Sequence, residues 1–143
     1  MKPCVFCEII AGRKDAFTVY EDDEIRAVLD IDPINEGHIL ILPKVHCSDA
    51  DELDEGLYLR IQTLARRFVS VLKKIYGCDG YTVLQNGGKV SATVGHYHLH
   101  VIPRYVRDGF YIMTGGVVYR TSEQIAEKIR NEFTASEETE EQP

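Results

Sequence analysis

His96-Tyr97-His98-Leu99-His100-Val101-Ile102 is the stretch that decides the fold of this 143-residue chain. Aromatic, aliphatic and β-branched residues stand between the histidines, so the run reads as a β-strand. Side chains alternate faces along a strand. His96, His98 and His100 therefore share one face, and Tyr97, Leu99 and Val101 turn to the other, toward a core. Two residues of strand rise put successive histidines roughly 6.5–7 Å apart at Cα. Three of the five histidines of the chain stand in this strip. A lone exposed histidine is ordinary, and two at i and i+2 often bind a metal. Three in register offer imidazoles that act as nucleophile, acid, base or ligand near neutral pH.

The length suits one domain with its own core. Apolar residues make up 44% and charged residues 27%, the balance of a soluble globular protein. No run of about 18 apolar residues is present, so no membrane span is expected. Met1-Lys2-Pro3-Cys4 lacks an apolar signal core, so a cytoplasmic location is expected. The net charge is −7, with Glu137, Glu138, Glu140 and Glu141 concentrated at the end. An acidic balance argues against broad nucleic-acid binding through phosphate neutralisation, though not against a single nucleotide held by local donors. The four cysteines, Cys4, Cys7, Cys47 and Cys78, are expected as ligands or buried thiols rather than as a disulfide framework.

Outward from the histidine strand, the chain reads as α+β. Phe6 to Ala11 makes one or two helical turns ended by Gly12. Thr18–Tyr20 and Ile25–Leu29 flank the acidic turn Glu21-Asp22-Asp23-Glu24 as a hairpin. A loop from Asp32-Pro33 to Gly37 leads into a third strand, His38–Leu42, closed by Pro43. Leu57, Ile61, Leu64, Phe68, Val71 and Ile75 recur at steps of four and three, the apolar stripe of a helix of roughly five turns. Gly77 terminates it. Tyr81–Leu84 is a fourth strand and His96–Arg104 the fifth. Thr121 to Phe133 is a final helix, with Thr121 and Gln124 spaced as a capping box. Residues 1–133 are expected as a single domain, and the polar, acidic 134–143 as a disordered tail. Strands grouped around one long helix predict an antiparallel five-stranded sheet carrying that helix and the C-terminal one.

Two further constellations carry chemistry. Asn86-Gly87-Gly88-Lys89-Val90-Ser91-Ala92-Thr93 precedes the histidine strand. A glycine-rich turn with hydroxyls can present backbone N–H groups to an anion, and it can also be a simple turn. Phosphate beside a nucleophilic imidazole points to phosphoryl or nucleotidyl transfer. Cys4-x-x-Cys7 puts two thiols on one turn, half of a tetrahedral zinc site. A redox pair or unligated thiols are the alternatives, and the redox reading lacks the strand that would precede it.

The triad strand resembles the His-φ-His-φ-His-φ-φ signature of the histidine triad superfamily, most closely its bacterial nucleotide-binding branch. The likeness covers about residues 4–105. It includes Val5-Phe6-Cys7-Glu8-Ile9-Ile10, Tyr20-Glu21-Asp22, Asp30-Ile31, Gly37-His38-Ile39-Leu40-Ile41-Leu42-Pro43-Lys44 and Ile102-Pro103-Arg104-Tyr105. The resemblance implies a purine nucleotide substrate, attack by His98 on the α-phosphorus, and a nucleotidyl-histidine hydrolysed by water. It implies that His100 and His38 orient the site and contact phosphate, with Thr93 beside them. Asp30 would take the ribose hydroxyls, a task suited to an acceptor-only carboxylate. Val5, Phe6, Ile9 and Ile31 would wall the base, or be plain core, and Gln85 and Thr93 would contact phosphate. A structural zinc, one per chain, would be held by Cys4, Cys7, His46 and His96, with Cys47 a competing ligand. A two-fold homodimer is also implied.

The chain departs from that pattern in places. Gln85 stands where most of the branch has Asn, as in dinucleoside polyphosphate hydrolases. Val90-Ser91-Ala92 replaces Ala-Gly-Gln before the triad, and a missing phosphate donor costs about 2–4 kcal/mol of transition-state stabilisation. The favoured activity is a nucleoside phosphoramidase or nucleotidyl hydrolase. The rivals are a dinucleoside polyphosphate hydrolase and a non-catalytic nucleotide-binding module.

Overall fold

The computed structural model describes residues 3–89, 94–112, 115–116 and 120–140, with backbone only over 137–140. The elements in chain order are α1 (Val5–Ile10), β1 (Thr18–Glu21), β2 (Ile25–Leu29), β3 (Ile39–Pro43), a 3-10 turn (Ala50–Glu52), α2 (Glu55–Tyr76), β4 (Gly80–Leu84), β5 (Leu99–Arg104) and α3 (Glu123–Glu140). One antiparallel sheet runs in the order β1-β2-β3-β5-β4. This is the α+β arrangement that the sequence predicts. Among the described residues no helix is long and apolar enough to cross a membrane.

Strand parity builds two layers on this sheet. Ile25, Ala27, Ile39, Ile41, Leu99 and Val101 face α2 and bury against Leu57, Ile61, Leu64, Ala65 and Leu72. Val28, Leu40 and Leu42 face the other way and bury against Phe6 and Ile9 of α1. Tyr97 belongs to the first layer. His96, His98 and His100 therefore emerge on the α1 side, and Leu40 pairs with His100 on that side. The strand ladder begins only at Leu99. Upstream of it, the Tyr97 N–H donates to the Cys47 carbonyl (2.7 Å) and keeps the segment extended.

Both helix ends of α2 are locally encoded. Asp54 caps it by accepting from the Leu57 N–H (3.1 Å). Gly77, at φ +57°, closes it in the left-handed conformation and donates to the Lys73 carbonyl. The expected stripe holds as far as Phe68. Beyond it the inner side carries Leu72 and Tyr76, while Val71 and Ile75 are exposed. The loop before β3 packs there: a Cβ on Gly37 would come within 2.6 Å of the Tyr76 ring.

Residues to Phe110 form one compact unit and those from Tyr111 a second. In the second, α3 corrects the expected helix at both ends. Ser122, not Thr121, caps it, its Oγ accepting from the Ile125 N–H (3.3 Å). The helix continues past Phe133 to Glu140, into the stretch expected as tail. Glu and Ala are strong helix formers, and local propensity outweighs the crowding of acidic charge.

Candidate active site and metal cluster

Carbonyl oxygens can only accept, so they reveal which ring nitrogens carry protons. His98 Nδ1–H donates to the carbonyl of His96 (2.8 Å). In the neutral ring its Nε2 therefore carries the lone pair. The Ile34 N–H donates to His38 Nδ1 (3.1 Å), which places the His38 proton on Nε2. That Nε2–H donates to His100 Nδ1 (2.9 Å). His100 in turn carries its proton on Nε2. Two separate sets of hydrogen bonds thus set an unprotonated nitrogen on His98 and an N–H on His100, with their rings 4.9 Å apart at the centroids.

Burial favours the neutral form of His38 and His100. It pulls His100 down to about 4, with help from the neighbouring His98 and His38 and against the Asp30 carboxylate. Burial also lowers His38, again opposed by Asp30, whose Oδ2 lies 3.5 Å from His38 Nε2. The other Asp30 oxygen accepts from the Asp32 N–H (2.9 Å).

A 290 Å³ pocket opens beside these rings, near the lower end of small-molecule sites at about 300–1,000 Å³. His98, His100 and Asp30 line one part of it. Val5, Phe6, Ile9 and Ile31 are among its other lining residues, so the structure brings together all four expected base-pocket residues. The Phe6 ring packs tilted against His98, 5.0 Å between centroids. α1 stays in place because Phe6 and Ile9 are buried and Arg26 Nη1 donates to the Ile9 carbonyl (2.6 Å).

Gln85 does not join the pocket. Leu84 pairs with His100, so the next residue falls on the opposite face. There Gln85 Oε1 accepts from the Tyr97 hydroxyl (2.6 Å). Thr93 lies outside the described residues, as do Val90, Ser91 and Ala92. In the described part of the glycine loop, the Gly88 N–H is already taken by Asp49 Oδ2 (3.0 Å). A Cβ on Gly87 would stand 2.6 Å from Asp49 Oδ1 and displace that carboxylate.

The second cluster sits two residues before His98, in the extended segment that leads into β5. His96 Nε2–H donates to the Pro43 carbonyl (2.9 Å), leaving Nδ1 bare. That Nδ1 is 3.5 Å from Cys4 Sγ, 3.6 Å from Cys7 Sγ and 3.2 Å from His46 Nδ1. Cys7 Sγ is 3.2 Å from His46 Nδ1. All four donor atoms lie within 4.8 Å of one another. Burial, then Cys4, pushes the Cys7 thiol up, and burial lowers His96. Cys47 is buried in the α2 layer instead and is not part of the group.

Residues that the sequence reading missed are mostly backbone: the carbonyls of Pro43 and His96 and the N–H of Ile34. No residue type marks them. Lys14 and Asp15, on the pocket rim, lie in a polar turn that carries no motif.

The HIT domain family model matches residues 11–107. This chain belongs to the HIT family. An uncharacterized HIT-like protein of Methanocaldococcus jannaschii is 39% identical over 128 residues, spanning 89% of this chain and 98% of its own. The adenylylsulfatase HINT3 of Arabidopsis thaliana is 35% identical over 106 residues, 73% of this chain and 54% of that protein. Among solved structures, a zinc-bound histidine triad family protein from Mycobacterium smegmatis aligns at a TM-score of 0.68 and 32% identity. That alignment covers 89% of this HIT chain and 88% of the other.

Proposed function

We propose that this HIT protein hydrolyses purine nucleoside 5′-phosphoramidates and related nucleotidyl conjugates through a nucleotidyl-His98 intermediate. The observation that carries the reading is the pair of tautomers: a lone pair on His98 Nε2 and a proton on His100 Nε2, both rings lining one pocket. His98 Nε2 bonds to the α-phosphorus as the bond to the leaving amine breaks. The amine takes a proton from water. The His96 carbonyl, holding Nδ1–H, favours the charge that develops on the imidazole. His100 Nε2–H donates to a non-bridging phosphate oxygen. Water then attacks phosphorus, the P–Nε2 bond breaks, and the monophosphate leaves with one proton returned to solvent. Asp30 accepts from the ribose hydroxyls, and Val5, Phe6, Ile9 and Ile31 hold the base. The HINT3 relative, an adenylylsulfatase, supports an adenylyl substrate.

Cys4, Cys7, His46 and His96 would hold one structural zinc. Bonds of about 2.0–2.1 Å to nitrogen and about 2.3 Å to sulfur give tetrahedral edges of roughly 3.3–3.6 Å. Four of the six separations, His96 Nδ1 to Cys4, Cys7 and His46 and Cys7 to His46, run 3.2–3.6 Å and fit those edges. A carbonyl behind the ligating imidazole, here that of Pro43, is the usual support. When bound, the ion supplies cross-linking and charge, with no position left for water. A second copy of the chain is the proposed protein partner. The exposed Val71, Ile75 and Tyr81 near the free edge of β4 support it, and light scattering of the eluted protein tests it.

Assay of adenosine phosphoramidate against diadenosine tri- and tetraphosphate tests the activity. Faster turnover of the phosphoramidate is expected. Gln85, the feature favouring a polyphosphate substrate, is bound on the far face. A preference for the dinucleotides would reject the assignment, and no turnover of either would leave the non-catalytic reading.

A further inference from the structure

The loop between β2 and β3 is exposed at Ile31, Asp32, Pro33, Ile34 and Glu36. It nonetheless supplies the N–H that fixes the tautomer of His38. Exposed loop backbone opens readily unless side chains tie it down. Asn35 ties this one. Its amide donates one hydrogen to the Pro103 carbonyl (2.9 Å) and the other to Asp108 Oδ2 (2.9 Å). Its own carbonyl accepts from the His38 N–H (3.1 Å). Pro103 lies on β5, the strand of His100.

Asp108 is a rigid anchor. Arg104 Nε and Nη2 donate to its two oxygens (2.5 and 2.8 Å), and the N–H groups of Tyr105 and Phe110 add two more bonds. The guanidinium holds the carboxyl well below the usual carboxylate range, so it stays an acceptor throughout the working pH range. Both hydrogens of the Asn35 amide are thus spent on groups that can only accept. A side chain without two donors cannot replace it.

We propose that Asn35 is a positioning residue for the histidine chain: it holds the Ile34 N–H against His38 Nδ1 and so keeps the His38 Nε2 proton on His100. The catalytic part of this inference rests on the proposed hydrolysis; the tautomer part does not. Once Asn35 lets go, the Nδ1–H form of His38 becomes accessible, with only His100 Nδ1 and Asp30 Oδ2, 3.5 Å from His38 Nε2, still favouring a proton on Nε2. A bare Nε2 would then face the bare Nδ1 of His100, and His100 would move its own proton to Nδ1 to restore the bond. Its Nε2 would become an acceptor and repel a phosphate oxygen. The pocket walls and Asp30 would be unchanged, so the loss falls on kcat rather than KM.

The experiment uses the full chain labelled with nitrogen-15. Long-range proton–nitrogen spectra distinguish protonated from bare ring nitrogens. In the native protein His38 should show a proton on Nε2 and none on Nδ1, and the Ile34 amide should exchange slowly despite its exposed position. In Asn35→Ala the His38 signals should move toward a mixture of tautomers. The Ile34 amide should exchange at least about tenfold faster. Turnover should drop on the order of 10- to 100-fold in kcat, with KM within about twofold. Asn35→Asp, which sets a carboxylate against two acceptors, should do at least as much. A fixed Nε2–H tautomer in the variants, or a rapidly exchanging Ile34 amide in the native protein, would overturn the proposal. The second readout needs no variant, so it decides the matter even if the variants do not fold. A native protein without hydrolase activity would strike down the hydrolase reading instead and leave the tautomer measurement standing.

Discussion

His96 and His98 stand two residues apart on one face of the extended segment that leads into β5, yet they present opposite nitrogens. His96 gives its Nε2 proton to the Pro43 carbonyl and offers Nδ1 to a cluster of donors. His98 gives its Nδ1 proton to the His96 carbonyl and offers Nε2 to a pocket. The side chains are the same; the carbonyl that each meets differs. Ring chemistry in this protein is decided by backbone acceptors, and the residue type alone does not carry it.

Replacing each histidine separately breaks the comparison most sharply. His98→Ala should remove turnover by about 10⁴-fold or more, since the bond-forming nitrogen is gone. Nucleotide affinity should stay within about tenfold, because Asp30 and the apolar walls remain. His96→Ala should do the reverse, lowering the melting temperature first and activity only as far as the fold loosens. Equal loss of activity without loss of stability in both variants would erase the distinction.

Next in size is the cluster itself. Purified protein should hold about one zinc per chain. Cys7→Ser, or a chelator at mildly acid pH, should release it, since ligation needs thiolates and neutral imidazoles. A loss of about 2–4 kcal/mol is expected, which for a chain of this size lowers the melting temperature by roughly 6–15 °C. Metal-free protein with an unchanged melting curve would reject the site.

The pH dependence is smaller and follows from His100. Its folded value, about 4, lies below the ordinary histidine value of 6.5. The unfolded chain therefore binds a proton that the folded one refuses between those limits. The contribution to stability is intact above 6.5 and is lost as pH falls toward 4. His38 and His96 are shifted in the same direction. The groups facing His100 are His98, His38 and Asp30, and only Asp30 favours its charged form. Urea midpoints measured across that window should fall with pH, and kcat with them. A flat midpoint would contradict the neutral chain.

Much of this was legible in the sequence. Alternation in Tyr97, Leu99 and Val101 placed the core layer, because strand parity allows no other face once one is buried. Capping by Ser122 rather than Thr121 was not legible, since both residues suit the position and only the backbone chooses. The face of Gln85 was hidden for a similar reason. Its parity depends on the register of β4 against β5, which no residue before the glycine loop announces. The tautomers were wholly out of reach, because Pro43, His96 and Ile34 act through main-chain atoms. The smallest prediction comes from that register. Gln85→Ala should change nucleotide affinity by less than about twofold, costing mainly the Tyr97 hydroxyl bond, about 1 kcal/mol. A loss of about tenfold in affinity would return Gln85 to the phosphate.

The division of labour along the strand is tested most directly by trapping the intermediate. The native protein is mixed with an adenosine phosphoramidate, quenched within one turnover, digested and sequenced by mass spectrometry under conditions that preserve phosphohistidine. The account predicts an adenylyl group on His98 and none on its neighbours. An adduct on His96 or His100 would contradict it.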